Sequence, residues 1–422
     1  MRRLENRRSP LEGKPGGSRT LGALWGATFL VSLPFGVLSF ALPIYGKMLN
    51  ATAFEVGALF SAVSFVPVLV RPFLGRALDR WGRRPFLLAG LAAYALSMVV
   101  LAAARSVLLL TVARFIQGIG QALLWLAAYT IVADVASEAR RGRGFGAIDE
   151  ATNRGALIGA LPGLAAIGAL ELMGMRWEQL WPVLFAVYAA AALSGLGLAA
   201  LRVGETHPRE ERAPVARRPL SLQLVALMII VMITGASTAM VWPILVIFLQ
   251  DKLSAGAVVL AVAYLPAALI NSFMPSRLGR ITDRFGRRPL MALGLVIGAV
   301  SSAFMPHLRS VALLAVLWAV DSLGYAASSP AERAFVADVA GGDARGASYG
   351  LYTFAYFLGA AVGPLVGGWL YDAAGHEAPF YANSVMLIVG ALLVLVLLRE
   401  PRDRAPANPP GRAHRRATAA RR

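Results

Sequence analysis

The chain states one short segment twice, and that repetition limits what it can fold into more than any other feature. Residues 75–85 read GRALDRWGRRP, and residues 279–289, 204 positions later, read GRITDRFGRRP, the same at eight of eleven positions. Each copy is a basic loop between two long apolar runs. The offset extends well past the loop. Asp134-Val135 returns as Asp338-Val339, Arg105-Ser106 as Arg309-Ser310, Gly146 as Gly350, and the ladder Gly155, Gly159, Gly163 as Gly359, Gly363, Gly367. A frame kept over that distance describes a duplicated unit rather than a recurring motif.

The repeated unit belongs in a bilayer. Hydrophobic residues make up 57% of the chain and the mean hydropathy is +0.62. A hydrocarbon core about 30 Å thick needs about 20 apolar residues per helix. Twelve such stretches can be read, at about 20–45, 53–73, 86–104, 107–132, 144–170 and 178–201, then 220–249, 255–276, 289–306, 310–336, 346–371 and 379–398. The expected fold is therefore an all-α membrane protein of two six-helix bundles, 20–201 and 220–398. A polar linker at 202–219 joins them, a basic tail at 1–19 precedes them and a Pro-, Ala- and Arg-rich tail at 399–422 follows, the last expected to be disordered. The Arg-rich start resembles a signal peptide, but the apolar run after it is too long for one and reads as a first span.

The net charge of +18 raises the question of nucleic acid. Topology accounts for it instead. Most of the 41 lysines and arginines fall on one side of the twelve spans, and the other side carries only Lys47, Arg105, Arg176, Lys252 and Arg309. The positive-inside rule then places both termini and the linker in the cytoplasm. Cysteine is absent, so disulfides and thiolate metal sites are excluded. The four histidines, His207, His307, His376 and His414, lie far apart, and no metal or other cofactor is expected. Lysine occurs only at Lys14, Lys47 and Lys252, none after a Gly-rich phosphate loop, so the chain does not read as an ATPase.

Two Gly-x-x-x-Asp-Arg-x-Gly-Arg-Arg loops, after the second and eighth apolar stretches of a six-plus-six pattern, resemble the signature of the major facilitator superfamily. The resemblance covers about residues 20–398. It implies two bundles around a central cavity that opens to one side and then the other. It also implies that the loops form a conformational latch. In the first copy the latch would comprise Gly75, Asp79, Arg80, Gly82 and Arg83 with Asp134 at the end of helix 4. In the second it would comprise Gly279, Asp283, Arg284, Gly286 and Arg287 with Asp338. By this analogy the cluster shuts the cytoplasmic side and breaks when the cavity turns inward. Arginines in the loops also serve topology alone, which is the plainer reading for Arg76, Arg84 and Arg288.

Several polar residues lie too deep for a purely structural bilayer helix. Arg114, Gln117, Gln121 and Trp125 share one face of helix 4, and the segment from Arg114 to Gly120 resembles the family motif tied to proton coupling. Nine residues past Arg105, Arg114 is about 13 Å into the membrane and is expected to face the cavity, the alternative being an arginine pinned to backbone carbonyls. On helix 5, Asp149, Glu150 and Arg154 lie opposite the glycine ladder, so the ladder should pack while the charges look inward. Drug–proton antiporters of the family carry Gly-x-x-x-Gly-Pro-x-x-Gly-Gly in this helix, whereas here that pattern is intact only at 359–368 in helix 11. Asp321 is twelve residues past Arg309, about 18 Å deep, with Tyr325 on the same face. A carboxylate there must be paired or protonated, and such groups mark ion or substrate pathways.

These features point to alternating-access transport of a small organic molecule by a monomer, coupled to protons, as efflux of a drug or metabolite. Uptake of a sugar, organic acid or other metabolite is the alternative. A polytopic enzyme or a receptor is the alternative from another class, and no catalytic cluster supports it.

Overall fold

The computed structural model describes residues 17–136, 138–174, 176–206, 221–253, 257–274, 286–340 and 345–399. Of the residues singled out above, Gly279, Asp283 and Arg284 lie outside these segments, as do the side chain of Asp338, most of the linker and nearly all of both tails. The described residues contain twelve α-helices and no strand. They are α1 (Gly17–Met48), α2 (Ala53–Trp81), α3 (Arg84–Ala103), α4 (Val107–Val135), α5 (Glu138–Leu172) and α6 (Trp177–Arg202). The second set is α7 (Leu222–Leu253), α8 (Ala257–Phe273), α9 (Arg287–Phe304), α10 (Val311–Ala340), α11 (Arg345–Ala374) and α12 (Ala378–Leu397).

The expected helices all form, and their ends differ for a physical reason. α2 does not stop at the apolar boundary but runs to Trp81, so Gly75, Asp79 and Arg80 of the expected loop are helical. Charged residues leaving the bilayer sustain a helix as well as apolar ones do, and the chain breaks only at Gly82, whose φ of 90° suits glycine alone. Gly286 repeats that turn with φ 103°, so the duplication reaches the backbone angles.

Packing repeats as well. In the first half α1 packs on α5 and α6, α3 on α4 and α6, and α2 on α4. In the second, α7 packs on α11 and α12, α9 on α10 and α12, and α8 on α10. Lipid tails are as apolar as leucine, so close backbone approach rather than hydrophobic contrast draws such helices together. The glycine ladders supply it. A Cβ at Gly155 or Gly159 would collide with the carbonyls of Phe29 or Leu33 on α1, and one at Gly359 or Gly363 with those of Met232 or Ala236 on α7.

Between the halves the contacts are one-sided. The face carrying the α2–α3 turn and the start of the 202–219 linker is called here the basic face. Toward it the buried side chains form two separate cores, one built only from α1–α6 and the other only from α7–α12. Toward the opposite face one core runs through both halves, from Val37, Phe40 and Tyr45 of α1 to Ile244 and Phe248 of α7 and Leu260 of α8. Among the described residues the halves share one core toward that face and keep separate cores toward the basic face.

Candidate functional site

On the basic face Arg83 is 1% exposed and uses its whole guanidinium. Nη2 donates to Asp79 at 2.9 Å, Nε to Asp134 at 3.1 Å and Nη1 to the carbonyl of Leu78 at 2.7 Å. The planar fork suits this task in a way a lysine could not match. Glu205, just past α6, accepts from the backbone N–H groups of Arg83 and Arg84 at 2.8 and 3.2 Å, capping the start of α3. Sequence reading brought Asp79, Arg83 and Asp134 together correctly in space and missed Glu205. All of these contacts lie within the first half and the first residues of the linker. The resemblance implied a cluster that breaks when the cavity turns to this side; here it is formed while the opposite face is shut. In the second copy Arg287 donates to the carbonyl of Ala334 on α10, the counterpart approach of turn to helix.

The expectation that Arg114 faces the cavity is corrected. Arg114 is 7% exposed and turned into α2, where Nε donates to the carbonyl of Leu59 at 3.0 Å and Nη1 to Gln117 Oε1 at 2.5 Å. Its guanidinium also lies 5.3 Å from the ring centre of Phe60. Depth argued rightly that the charge cannot reach water, and a carbonyl on the neighbouring helix was the nearer solution. Gln121 accepts from Tyr94 at 3.4 Å. On α5 the charged face is exposed, with Glu150 bridged to Arg154 at 2.6 Å and Asp149 accepting from Tyr129 of α4.

A cavity of about 450 Å³ has a described lining drawn from the second half, including Trp242, Tyr264, Asn271, Trp318, Asp321 and Tyr325. Two of these lining residues, Trp242 and Tyr264, also meet Phe40 of α1 in the first half. Asp321 makes no hydrogen bond or ion pair among the described residues. Glu332, farther along α10, is hydrogen-bonded to Tyr352 and sits in the field of Arg333.

The closed face is held by polar contacts that sequence reading missed. Lys47 of α1 is paired with Asp251 of α7, and Asp251 also accepts from Tyr371 at 3.1 Å. Asp372 of α11 accepts from the N–H groups of Ala53 and Phe54 at 3.2 and 2.8 Å, so a carboxylate of one half caps a helix of the other. Beneath them Phe40 meets Trp242 edge-on at 5.6 Å and Tyr264 at 5.8 Å. Along the α2–α11 seam, Cβ atoms at Gly57 or Gly368 would collide with the carbonyls of Pro364 or Ala53, and Arg71 lies 4.3 Å over the ring of Phe357.

The family model of the Major Facilitator Superfamily matches residues 24–226 and again 227–422. The chain belongs to the major facilitator superfamily. Multidrug resistance protein 1 of Bacillus subtilis (strain 168) is 23% identical over 381 residues, covering 89% of this chain and 95% of that protein. The class G tetracycline resistance protein of Vibrio anguillarum is 29% identical over 406 residues, covering 89% and 96%. Among solved structures, the chain is similar in fold to a bacterial homolog of the human lysosomal transporter Spinster in an inward-facing, occupied conformation. The TM-score is 0.75 at 16% identity, over 92% of this chain and 97% of that one.

As a major facilitator the chain is a multi-pass membrane transporter. Ten of its helices are long and apolar enough to cross a bilayer among the described residues; the exceptions are α5 and α8. α8 is described over only 17 residues. These two helices pack against each other across the halves. A signal for the missed Lys47–Asp251 pair did exist in the sequence. The two residues stand 204 positions apart, the duplication offset itself, so they are equivalent points of two repeats and meet near the axis that relates them.

Proposed function

We propose that this major facilitator is a proton-driven exporter of small organic compounds, described here in the state open to the cytoplasm. The observation that carries the reading is the one-sided seal: a shared core and three inter-half carboxylate contacts on one face, and two separate cores on the other. A carrier of two rocking halves needs a state of this kind, and the excess of Lys and Arg puts the parted face in the cytoplasm with both termini. The similarity to multidrug and tetracycline resistance proteins supports export. Asp321, lining a cavity without a partner, is the residue proposed to carry the coupled proton, with Asp149 and Glu150 next in line. The Asp79–Arg83–Asp134 cluster keeps α2, α3 and α4 together as the first half moves, and Asp79 at its surface is the residue through which it latches the cytoplasmic mouth.

Purified protein in liposomes, with tetracycline as probe, tests this. Counterflow and uphill movement driven by an imposed pH gradient are expected, and Asp321→Asn should abolish the second while sparing the first. Uphill transport that ignores the gradient overturns proton coupling. Orientation is checked by proteolysis of the 202–219 linker in inside-out vesicles, where cleavage is expected; cleavage only in right-side-out cells overturns it.

A further inference from the structure

The buried arginines of the first half have partners. Arg83 spends its guanidinium on Asp79, Asp134 and a carbonyl, and Arg114 spends its own on Leu59 and Gln117. Arg71 of α2, half-buried, makes no hydrogen bond and no ion pair among the described residues, although its Nε is out of reach of water. It lies 11 residues before Gly82, about 16 Å along the helix from the turn that ends α2. The contact it does make is with the ring of Phe357 on α11, 4.3 Å from its guanidinium carbon, so the other half covers one face of the planar group and leaves the N–H donors around its edge unused. Arg71 stands where the halves keep separate cores. Its neighbour Val70 packs on the core of the first half, and Tyr356, the neighbour of Phe357, on that of the second. The groups that act on Arg71 from α3 and α4 are the hydroxyls of Tyr94 and Tyr129, whose protons go to Gln121 and Asp149. Both hydroxyls are neutral and leave the guanidinium charge standing. The carboxylates of α5 are engaged elsewhere, Asp149 by Tyr129 and Glu150 by Arg154. A cation held at this depth without an anion is costly, and an anion that enters the cleft removes that cost.

We infer that Arg71 is an anion-recognition point between the halves, and that the compounds this transporter moves carry one acidic group, a carboxylate or an enolate, on an apolar frame. The guanidinium fork takes two oxygens of a planar acid side by side, and Phe357 fixes the plane in which they must lie. A carboxamide of the same shape sets N–H against N–H at one of those two positions and brings no charge. An ammonium compound is repelled. The inference rests on the reading of the chain as an exporter of organic compounds and adds the class of compound.

Naphthalene-2-carboxylate is the probe, and its uncharged carboxamide and the naphthalen-2-ylmethylammonium cation are the comparisons on the same ring. Titrated calorimetrically into detergent-purified full-length protein at neutral pH, the carboxylate is expected to bind saturably and about tenfold more tightly than either. Arg71→Gln should weaken the carboxylate about tenfold and leave the carboxamide within about twofold, and Arg71→Lys, which keeps the charge and loses the fork, should fall between. Equal affinity of the unaltered protein for the three probes overturns the inference without recourse to any variant, and a preference for the ammonium compound does the same. Tight carboxylate binding by an Arg71→Gln protein with the Tm of the parent also overturns it. Counterflow of tetracycline in liposomes without a preference for the carboxylate would sink the anion site alone. That preference without counterflow of either tetracycline or the carboxylate would sink the exporter reading alone.

Discussion

Removing the Asp372 carboxylate should open the closed face. Asp372 receives the N–H groups of Ala53 and Phe54 at the start of α2, while α2 keeps its own cap, in which Thr52 and Glu55 satisfy each other's backbone. The substitution therefore leaves the helix capped and removes a contact made only while the halves meet on this face. Losing a helix-terminus acceptor costs about 0.5–2 kcal/mol, and losing a charge at the positive end of the helix dipole adds about 0.3–1 kcal/mol. Together these give about 0.8–3 kcal/mol, or roughly a 4- to 140-fold rise in the open fraction, at about 1.4 kcal/mol per factor of ten. The chain has no cysteine, so a single reporter at Ala263, 3% exposed within the seal, reads that fraction cleanly. Alkylation of Ala263→Cys by an impermeant maleimide added on the sealed side should accelerate by that factor in Asp372→Ala. Asp372→Asn keeps an acceptor oxygen and should accelerate it less. A rate within twofold of the parent in Asp372→Ala, with the cysteine fully reactive after denaturation, would refute the argument.

The other expectations concern neighbouring contacts. Lys47 and Asp251 are both partly exposed, so Lys47→Met should raise the same labelling rate only about two- to fivefold, in keeping with about 0.5–1 kcal/mol for such a pair. The swap Lys47→Asp with Asp251→Lys should restore the parent rate, and failure of the swap would count against a direct pairing. Arg83→Ala removes the guanidinium from the 4% exposed carboxylate of Asp134, which keeps only neutral support such as Thr206 at 3.5 Å among the contacts described, and should cost about 3–5 kcal/mol, seen as lost expression or a lowered Tm. Asp79, 72% exposed, should tolerate Asn with a Tm near that of the parent, and equal damage from both changes would contradict the geometry. Gly368→Leu forces α11 from the backbone of α2 and should cost about 1–3 kcal/mol of closure, read by faster Ala263→Cys labelling. Gly350→Ala meets nothing within 4 Å and should leave labelling unchanged.

What the sequence made legible follows from what each feature depends on. Twelve helices could be read because a bilayer demands a local property, about 20 apolar residues in a row, and their duplication because one offset recurs along the chain. The end of α2 could not, since hydropathy marks where the bilayer stops and not where the helix does. For Arg114, depth fixed the need for partners and left their identity open; the carbonyl of Leu59, 55 positions away, is visible only once α2 and α4 pack. The same holds for Glu205 at the start of α3 and for Asp372 at the start of α2, contacts between residues with no shared periodicity. Asp321 was read as a deep acid with Tyr325 on its face, but the other residues that line its cavity, from Thr234 to Leu387, come together only when the helices pack.

The departures from the repeat carry as much meaning as the repeat. At the seam between the halves, α2 and α11 touch backbone to backbone because Gly57 and Gly368 have no side chains to hold them apart. Their equivalents 204 positions away, on α8 and α5, are Ala261 and Leu164. The two seams are alike in topology and unlike in closeness, with the glycine pattern of 359–368 serving both faces of α11: Gly359, Gly363 and Gly367 toward α7, Pro364 and Gly368 toward α2. A duplicated protein with two identical seams would have no preferred axis of rocking. Loss of symmetry at these four positions gives one seam at which the halves stay in register and another, α5 with α8, that carries side chains. It is on α5 that Asp149, Glu150 and Arg154 accumulate, while the equivalent positions of α11 hold Thr353, Phe354 and Leu358.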